Sequence, residues 1–251
     1  MEAHIQSSDA SGRDRQLANL RDLAGLRLTG GGAIPAGILY RSDAPYSGDA
    51  APHSVPVWPP ATVIDLRSPG ETPGGLRWPD GTTLYNIPLM DEADVIGAAA
   101  DPQWPAALPA SLDLLYQHML EIVPQRLASL FALAADSMGP VLVHCTAGKD
   151  RTGIAIAVLL LVGGTEPADI IADYTASEAN MAVLIRRLKA RGRSLPADMD
   201  IASARLRAPA AAIDIVIDRL TEWPGGPQAW AQAHGTSAKD VRRWRKHLAG
   251  E

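Results

Sequence analysis

The segment Val143-His144-Cys145-Thr146-Ala147-Gly148-Lys149-Asp150-Arg151-Thr152-Gly153 holds the chain's only cysteine and, six positions on, an arginine. In a tight turn that spacing lets both side chains face one small concavity. Backbone N–H groups gathered there at a helix N-terminus would bind phosphate oxygens without bulky side chains, a use that suits Ala147 and Gly148. Arg151 in the first helical turn can offer two parallel hydrogen bonds to a phosphate, a geometry lysine does not reproduce. Helix dipole, inward amides and Arg151 all favour an anion at the loop centre and with it the thiolate form of Cys145, a good in-line nucleophile for phosphorus. Thr152 is placed to donate a hydrogen bond to the sulfur and ease its departure from a phosphocysteine. Residues Thr146, Ala147, Gly148, Lys149, Asp150, Arg151 and Thr152 are thus the expected phosphate cradle, with His144 orienting the loop and transferring no proton. A lone cysteine is more often a small buried residue. Here a strand before, a glycine within and Arg-Thr-Gly with an apolar helix after all agree with the nucleophile.

Such a loop must hang between a strand and a helix. Val141-Leu142-Val143, bounded by Gly139-Pro140, reads as the strand, and Thr152 to Leu161, stopped by Gly163-Gly164, as the helix. Further strands are expected at Ile38 to Arg41, Thr62 to Leu66 and Thr83 to Ile87, with an irregular Pro/Gly-rich connection from Ser42 to Pro60. Leu112, Leu115, Met119 and Ile122 recur at helical spacing, and Leu127, Leu130, Phe131 and Leu133 continue the pattern after Pro124. The last third predicts helices over Pro167 to Ala176, Ala179 to Lys189, Ala208 to Thr221, Gln228 to Ala233 and Ser237 to Leu248. Residues 1–16 read as a flexible leader and 17–251 as one domain: a mixed α/β sheet flanked by helices, with a helical C-terminal layer.

With 251 residues, 47% of them hydrophobic, the chain can bury a full core. Its formal charge of -5 argues against nucleic acid and anionic membrane partners, so a phosphate site must be locally positive. The first twenty residues lack a secretory apolar run, and Ile154 to Val162 falls far short of the roughly 18 residues a membrane span needs, so no stable insertion is expected. A single cysteine and six scattered histidines show no paired metal-ligand spacing, and no cofactor or metal is expected. Gly30-Gly31-Gly32 lacks a nucleotide-loop context and reads as a turn.

The loop resembles the H-C-x5-R-[ST] signature of the protein tyrosine phosphatase superfamily, in the H-C-x-A-G-K-D-R-T-G form of the mycobacterial protein tyrosine phosphatase B type. Asn19-Leu20-Arg21-Asp22 is similar to that type's N-F-R-D, Leu39-Tyr40-Arg41-Ser42 to its [LF]-[FY]-R-S, and Asp65-Leu66-Arg67-Ser68 with Glu71 to its D-L-R-S-x-x-E. Ala172-Asp173-Tyr174 fits as well, so the resemblance runs from about Asn19 to Leu248. It implies a tyrosine-phosphatase-like fold and hydrolysis of phosphotyrosine, with phosphoserine, phosphothreonine or phosphoinositides as further substrates of the type. The stretch after Asp91 is shorter than in the mycobacterial type, which implies a more open site. A cytoplasmic location is the default, although related bacterial phosphatases can leave the cell without a cleavable signal.

Expelling the leaving oxygen needs a proton donor, and two aspartates compete: Asp91, in a flap-like loop after Pro88, which is preferred, and Asp150 within the signature. Asp150 sits between Lys149 and Arg151, which favours its ionised form, yet it needs no flap closure. Lys149 could meet a second phosphate, as on an inositol phospholipid. Asp65, Arg67 and Glu71 are expected to form a structural ion-pair set beside the site, joined by Arg21 and Arg41. A phosphoprotein-binding module is the non-enzymatic alternative; intact Cys145 and Arg151 speak against it. Sulfur transfer is the nearest chemical neighbour, and the Arg-Thr-Gly continuation favours phosphate over it.

Overall fold

The computed structural model describes residues 15–71, 76–90, 112–192 and 206–251. Its sheet is built on a strand with no exposed face: β5 (Val141–His144) is at most 1% exposed at every residue. Such a continuous apolar run is the mark of a strand covered on both sides. Around it lie β1 (Arg21–Asp22), β2 (Leu39–Ser42), β3 (Thr62–Asp65) and β4 (Thr83–Asn86), in the order β1-β2-β5-β3-β4. The β2, β5, β3 and β4 strands run parallel, and only β1 pairs antiparallel, so the sheet is mixed as expected.

Register decides where the chemistry sits. Ser42 and Asp65 both stand opposite His144, so β2, β3 and β5 end level. Loops leaving these ends converge outside the carboxyl edge of the sheet, where open α/β sheets bind their ligands.

Among the described residues seven helices flank the sheet: α1 (Leu112–Ile122), α2 (Pro124–Ala135), α3 (Asp150–Gly163), α4 (Pro167–Ala190), α5 (Ala210–Thr221), α6 (Gly226–Ala233) and α7 (Ala238–Ala249). The α3 helix is apolar all round and buried from Thr152 to Gly163, as a helix packed from every side must be. Fully burying each of its Ile, Leu and Val side chains contributes about 1.5–3 kcal/mol. Gly153 lets α4 come close, since a Cβ there would lie 2.9 Å from the Tyr174 ring.

Two elements differ from the sequence reading. The α4 helix runs unbroken where two helices were expected, because Ser177 is buried on its inner side and its hydroxyl accepts a hydrogen bond from Arg21 Nη2 at 3.0 Å. A polar residue there marks a tertiary contact and no turn. The β1 strand went unread, since two residues carry no periodicity. No described helix is long and apolar enough to cross a membrane.

Candidate active site

The loop of residues 145–150 leaves β5 at its carboxyl end and enters α3. Its carbonyls are held from outside. Ala44 N–H donates to Thr146 O at 3.2 Å, Asn19 Nδ2 to Ala147 O at 3.1 Å, and Arg41 Nη2 to Gly148 O at 2.8 Å and Lys149 O at 3.4 Å. In a planar trans peptide the carbonyl of one residue and the N–H of the next point in opposite directions. Four carbonyls turned outward therefore turn the N–H groups of Ala147, Gly148, Lys149 and Asp150 inward. Gly148 N–H accordingly donates to Cys145 Sγ at 3.3 Å. Gly148 has φ +70°, and a Cβ there would lie 2.4 Å from Ser42 O, so this position excludes every side chain.

Each outside donor is itself fixed. Arg41 is fully buried, and its Nη1 donates to Asp173 Oδ2 at 2.5 Å. Arg21 Nε reaches the other oxygen of Asp173 at 2.6 Å, and its Nη1 donates to Asn19 Oδ1 at 2.8 Å. Burial and the nearby Arg41 charge push the Arg21 guanidinium down to about 10, the mark of two cations around one carboxylate. Burial opposes ionisation of Asp173, yet Arg41 and Arg21 outweigh it and hold the carboxyl below its ordinary range. The Ala44 end is anchored by Arg187, buried in α4, which donates to Ala44 O at 3.0 Å and to Asp43 Oδ2 at 2.9 Å.

Glu71 grips Arg151 with both oxygens, at 2.5 Å to Nη1 and 2.6 Å to Nη2. This bidentate fork fixes the guanidinium plane and leaves three of the arginine's five N–H donors for another ligand. Thr146 Oγ1 and Ser68 N–H also donate to Glu71. Burial opposes its ionisation, but the Arg151 bonds and charge prevail and hold the carboxyl at about 2. The expected ion-pair set thus divides. Asp65 and Arg67 pair with each other at 2.7 Å, whereas Glu71 serves Arg151, and Arg21 and Arg41 serve Asp173.

His144 is buried, with Nδ1 3.8 Å from Asp65 Oδ1 and 3.4 Å from Cys145 O. Burial first, then the charges of Arg67 and Arg151, push it down to about 4 against the opposing pull of Asp65. A neutral imidazole makes no ion pair at that distance, so its contact with Asp65 is one of packing. Thr152 Oγ1 is buried and makes no hydrogen bond among the described residues, so the donor to the sulfur here is the Gly148 amide in place of the expected threonine.

Lys149 is 2% exposed, and its ammonium donates to Asp150 Oδ1 at 2.7 Å and Arg207 O at 2.9 Å. Meeting a second phosphate would require breaking both bonds. Asp150 Oδ1 also accepts from Tyr116 OH at 3.0 Å, and Tyr116 OH lies 2.7 Å from Tyr174 OH. The Asp150 side chain is 28% exposed, and its Oδ2 makes no hydrogen bond among the described residues. Asp91 lies outside the described residues. The sequence reading gave Asn19, Ala44 and Asp173 no part in the site; Asn19 and Asp173 carried a signal, as members of the family-like Asn19-Leu20-Arg21-Asp22 and Ala172-Asp173-Tyr174, and Ala44 carried none.

A family model described as the tyrosine phosphatase family matches residues 15–250. A Cupriavidus necator protein assigned by name to the tyrosine-protein phosphatases is 33% identical over 166 residues, 64% of this chain and 60% of that protein. A tyrosine-protein phosphatase of Nostoc commune is 28% identical over 196 residues, 74% of this chain and 65% of its own. The triple specificity protein phosphatase PtpB of Mycobacterium tuberculosis is 29% identical over 152 residues, covering 50% and 55%. The chain therefore spans between 55% and 65% of the length of these curated relatives.

Proposed function

The chain belongs to the tyrosine phosphatase family, and from that premise we propose that it hydrolyses phosphomonoesters, phosphotyrosine foremost, through a phosphocysteine at Cys145. The observation that carries this reading is the pairing of inward loop amides around Cys145 Sγ with an Arg151 plane fixed by Glu71. Cys145 Sγ attacks phosphorus as a thiolate, and the bond from phosphorus to the leaving oxygen breaks. Arg151 and the amides of Ala147 to Asp150 meet the three equatorial oxygens, where the transition state spreads its charge. The leaving oxygen takes a proton from an aspartic acid. That aspartate then takes a proton from water as the water attacks the phosphocysteine, the phosphorus–sulfur bond breaks, and phosphate and the thiolate are released.

Asp150 is the candidate donor among the described residues, with Oδ1 fixed by Lys149 and Tyr116, although the Lys149 ammonium favours its ionised form. Asp91 is the alternative, and comparing alkaline limbs of the pH–rate profiles of Asp150→Asn and Asp91→Asn separates the two. Phosphoserine and phosphothreonine belong to the same proposal, since the name of the mycobacterial relative speaks of triple specificity. A phosphoinositide is less well supported because the Lys149 ammonium is occupied twice inside the protein. The test is the initial rate of phosphate release from phosphotyrosine, phosphoserine and phosphothreonine peptides and soluble phosphoinositides, with Cys145→Ser in parallel. Phosphotyrosine should turn over fastest and Cys145→Ser should be inactive; unchanged turnover in that variant would sink the mechanism.

A further inference from the structure

Two features of the sequence take no part in the chemistry at Cys145: the Gly30-Gly31-Gly32 turn and the basic run Arg242-Arg243-Trp244-Arg245-Lys246. They stand near opposite ends of the chain, and the fold brings them together. Gly30, Gly31, Gly164, Arg242, Arg245 and Lys246 line one pocket of about 340 Å³. That volume falls within the range of small-molecule sites, about 300–1,000 Å³. The pocket lies at the carboxyl end of α3, whereas the loop of Cys145 enters the amino end. With 14 residues in α3, at about 1.5 Å each, the two are about 20 Å apart.

The walls of the pocket are fixed by contacts within the protein. Thr29 N–H donates to Gly164 O at 2.7 Å, which holds the glycine turn against the end of α3. Trp244 Nε1 donates to Leu159 O at 2.8 Å, and a Cβ on Gly163 would lie 2.4 Å from Leu248 Cδ2, so α7 rests directly on α3. Gly30 leaves open space: a Cβ there would meet nothing within 4 Å, and its N–H makes no hydrogen bond among the described residues.

Charge is distributed unevenly along the basic run. Arg243, which does not line the pocket, pairs with Asp136 and Asp240. Arg242, Arg245 and Lys246 pair with no carboxylate among the described residues, and Glu251 lines the pocket without pairing with any of them. At spacings of three and four, Arg242 is a surface neighbour of both Arg245 and Lys246, and such like-charge neighbours weaken a helix. Arg245 Nη2 lies 3.3 Å from where a Gly164 Cβ would stand, beside the carboxyl end of α3, where one cation is ordinary. Arg242 and Lys246, both exposed, add charge to that one.

We propose that this pocket binds a small anion carrying two or more phosphate groups. Guanidinium groups offer paired donors to phosphate oxygens, and one multiply charged anion would answer all three cations at once. A small molecule is favoured over a bilayer because the surface is concave and no exposed large apolar side chain among the described residues lines it. Nucleic acid would meet repulsion from a chain of net charge -5 beyond the pocket. The proposal is independent of the chemistry at Cys145.

The test is isothermal titration calorimetry with sodium pyrophosphate at constant ionic strength. Binding at the Cys145 loop is common to parent and variants, so their difference reports the pocket. Arg242→Ala/Lys246→Ala should weaken the pocket site about tenfold or more, and Gly30→Glu, which sets a carboxylate among the cations, should abolish it. Sulfate, with a single anionic centre, should bind there about tenfold more weakly than pyrophosphate. Melting temperatures no more than about 2 °C below the parent report that the variants fold. Pyrophosphate binding unchanged in both variants would overturn the proposal, as would equal affinity for sulfate. So would phosphatidylserine vesicles that bind through Arg242 and Lys246 while pyrophosphate does not, since the cations would then serve a membrane surface.

Discussion

Neutralising Asp173 should loosen the phosphate loop from a distance. Its carboxylate lies between Arg41, fully buried, and Arg21, and it is the acid that offsets the Arg41 charge. Asp173→Asn keeps the shape and one acceptor oxygen but leaves two guanidinium groups facing each other. Removing one partner of a buried pair costs about 3–5 kcal/mol, and the partial exposure of Arg21 with the retained acceptor places this case near 3. At about 2–4 °C per kcal/mol for a chain of this size, the melting temperature should fall by about 6–12 °C. Well below that temperature, kcat on phenyl phosphate should drop about tenfold or more with a smaller change in KM, because Arg41 turns the Lys149 and Asp150 amides toward the transition state. Differential scanning calorimetry and steady-state rates on the same preparation check both. The double variant Arg21→Met/Asp173→Asn removes one of the two stranded cations and should recover part of the lost stability. A fall of less than about 2 °C in Asp173→Asn, on the same conversion, would refute the claim that this carboxylate holds the loop's outer scaffold.

Gly148→Ala must place a Cβ 2.4 Å from Ser42 O at φ +70°, so turnover should fall by about a hundredfold or more, the scale of losing oriented amide donors; parental rates would show that the loop tolerates the side chain. His144 binds its proton at about 4 in the folded chain and near the ordinary 6.5 when unfolded. Its neutral form therefore contributes stability that is fully present above 6.5 and lost as pH falls through that value toward 4, in all about 3 kcal/mol. Urea midpoints from pH 7 to pH 4 should decline less steeply in His144→Gln than in the parent, and parallel declines would remove the histidine as the cause.

Much of the site's nucleus was legible because it is local. Cysteine, glycine and arginine lie within seven consecutive residues, and the apolar runs on either side specify strand and helix by their own patterns. Strands β2 to β5 were readable for the same reason. The break expected near Ser177 was misplaced, because polarity along a helix signals solvent or a turn only when no partner arrives from elsewhere. Arg21 arrives from 156 residues away.

By itself, the sequence determined the strand-turn-helix that carries Cys145 and Arg151, since that depends on backbone preferences acting over a few residues. Only the tertiary structure decided that Asn19, Ala44 and Arg41 hold the loop carbonyls outward, that Glu71 grips Arg151, and that Lys149 is turned inward to Asp150 and Arg207. The physical reason is that a peptide plane is oriented by whatever bonds its carbonyl, and those donors come from separate strands and loops brought level by sheet register.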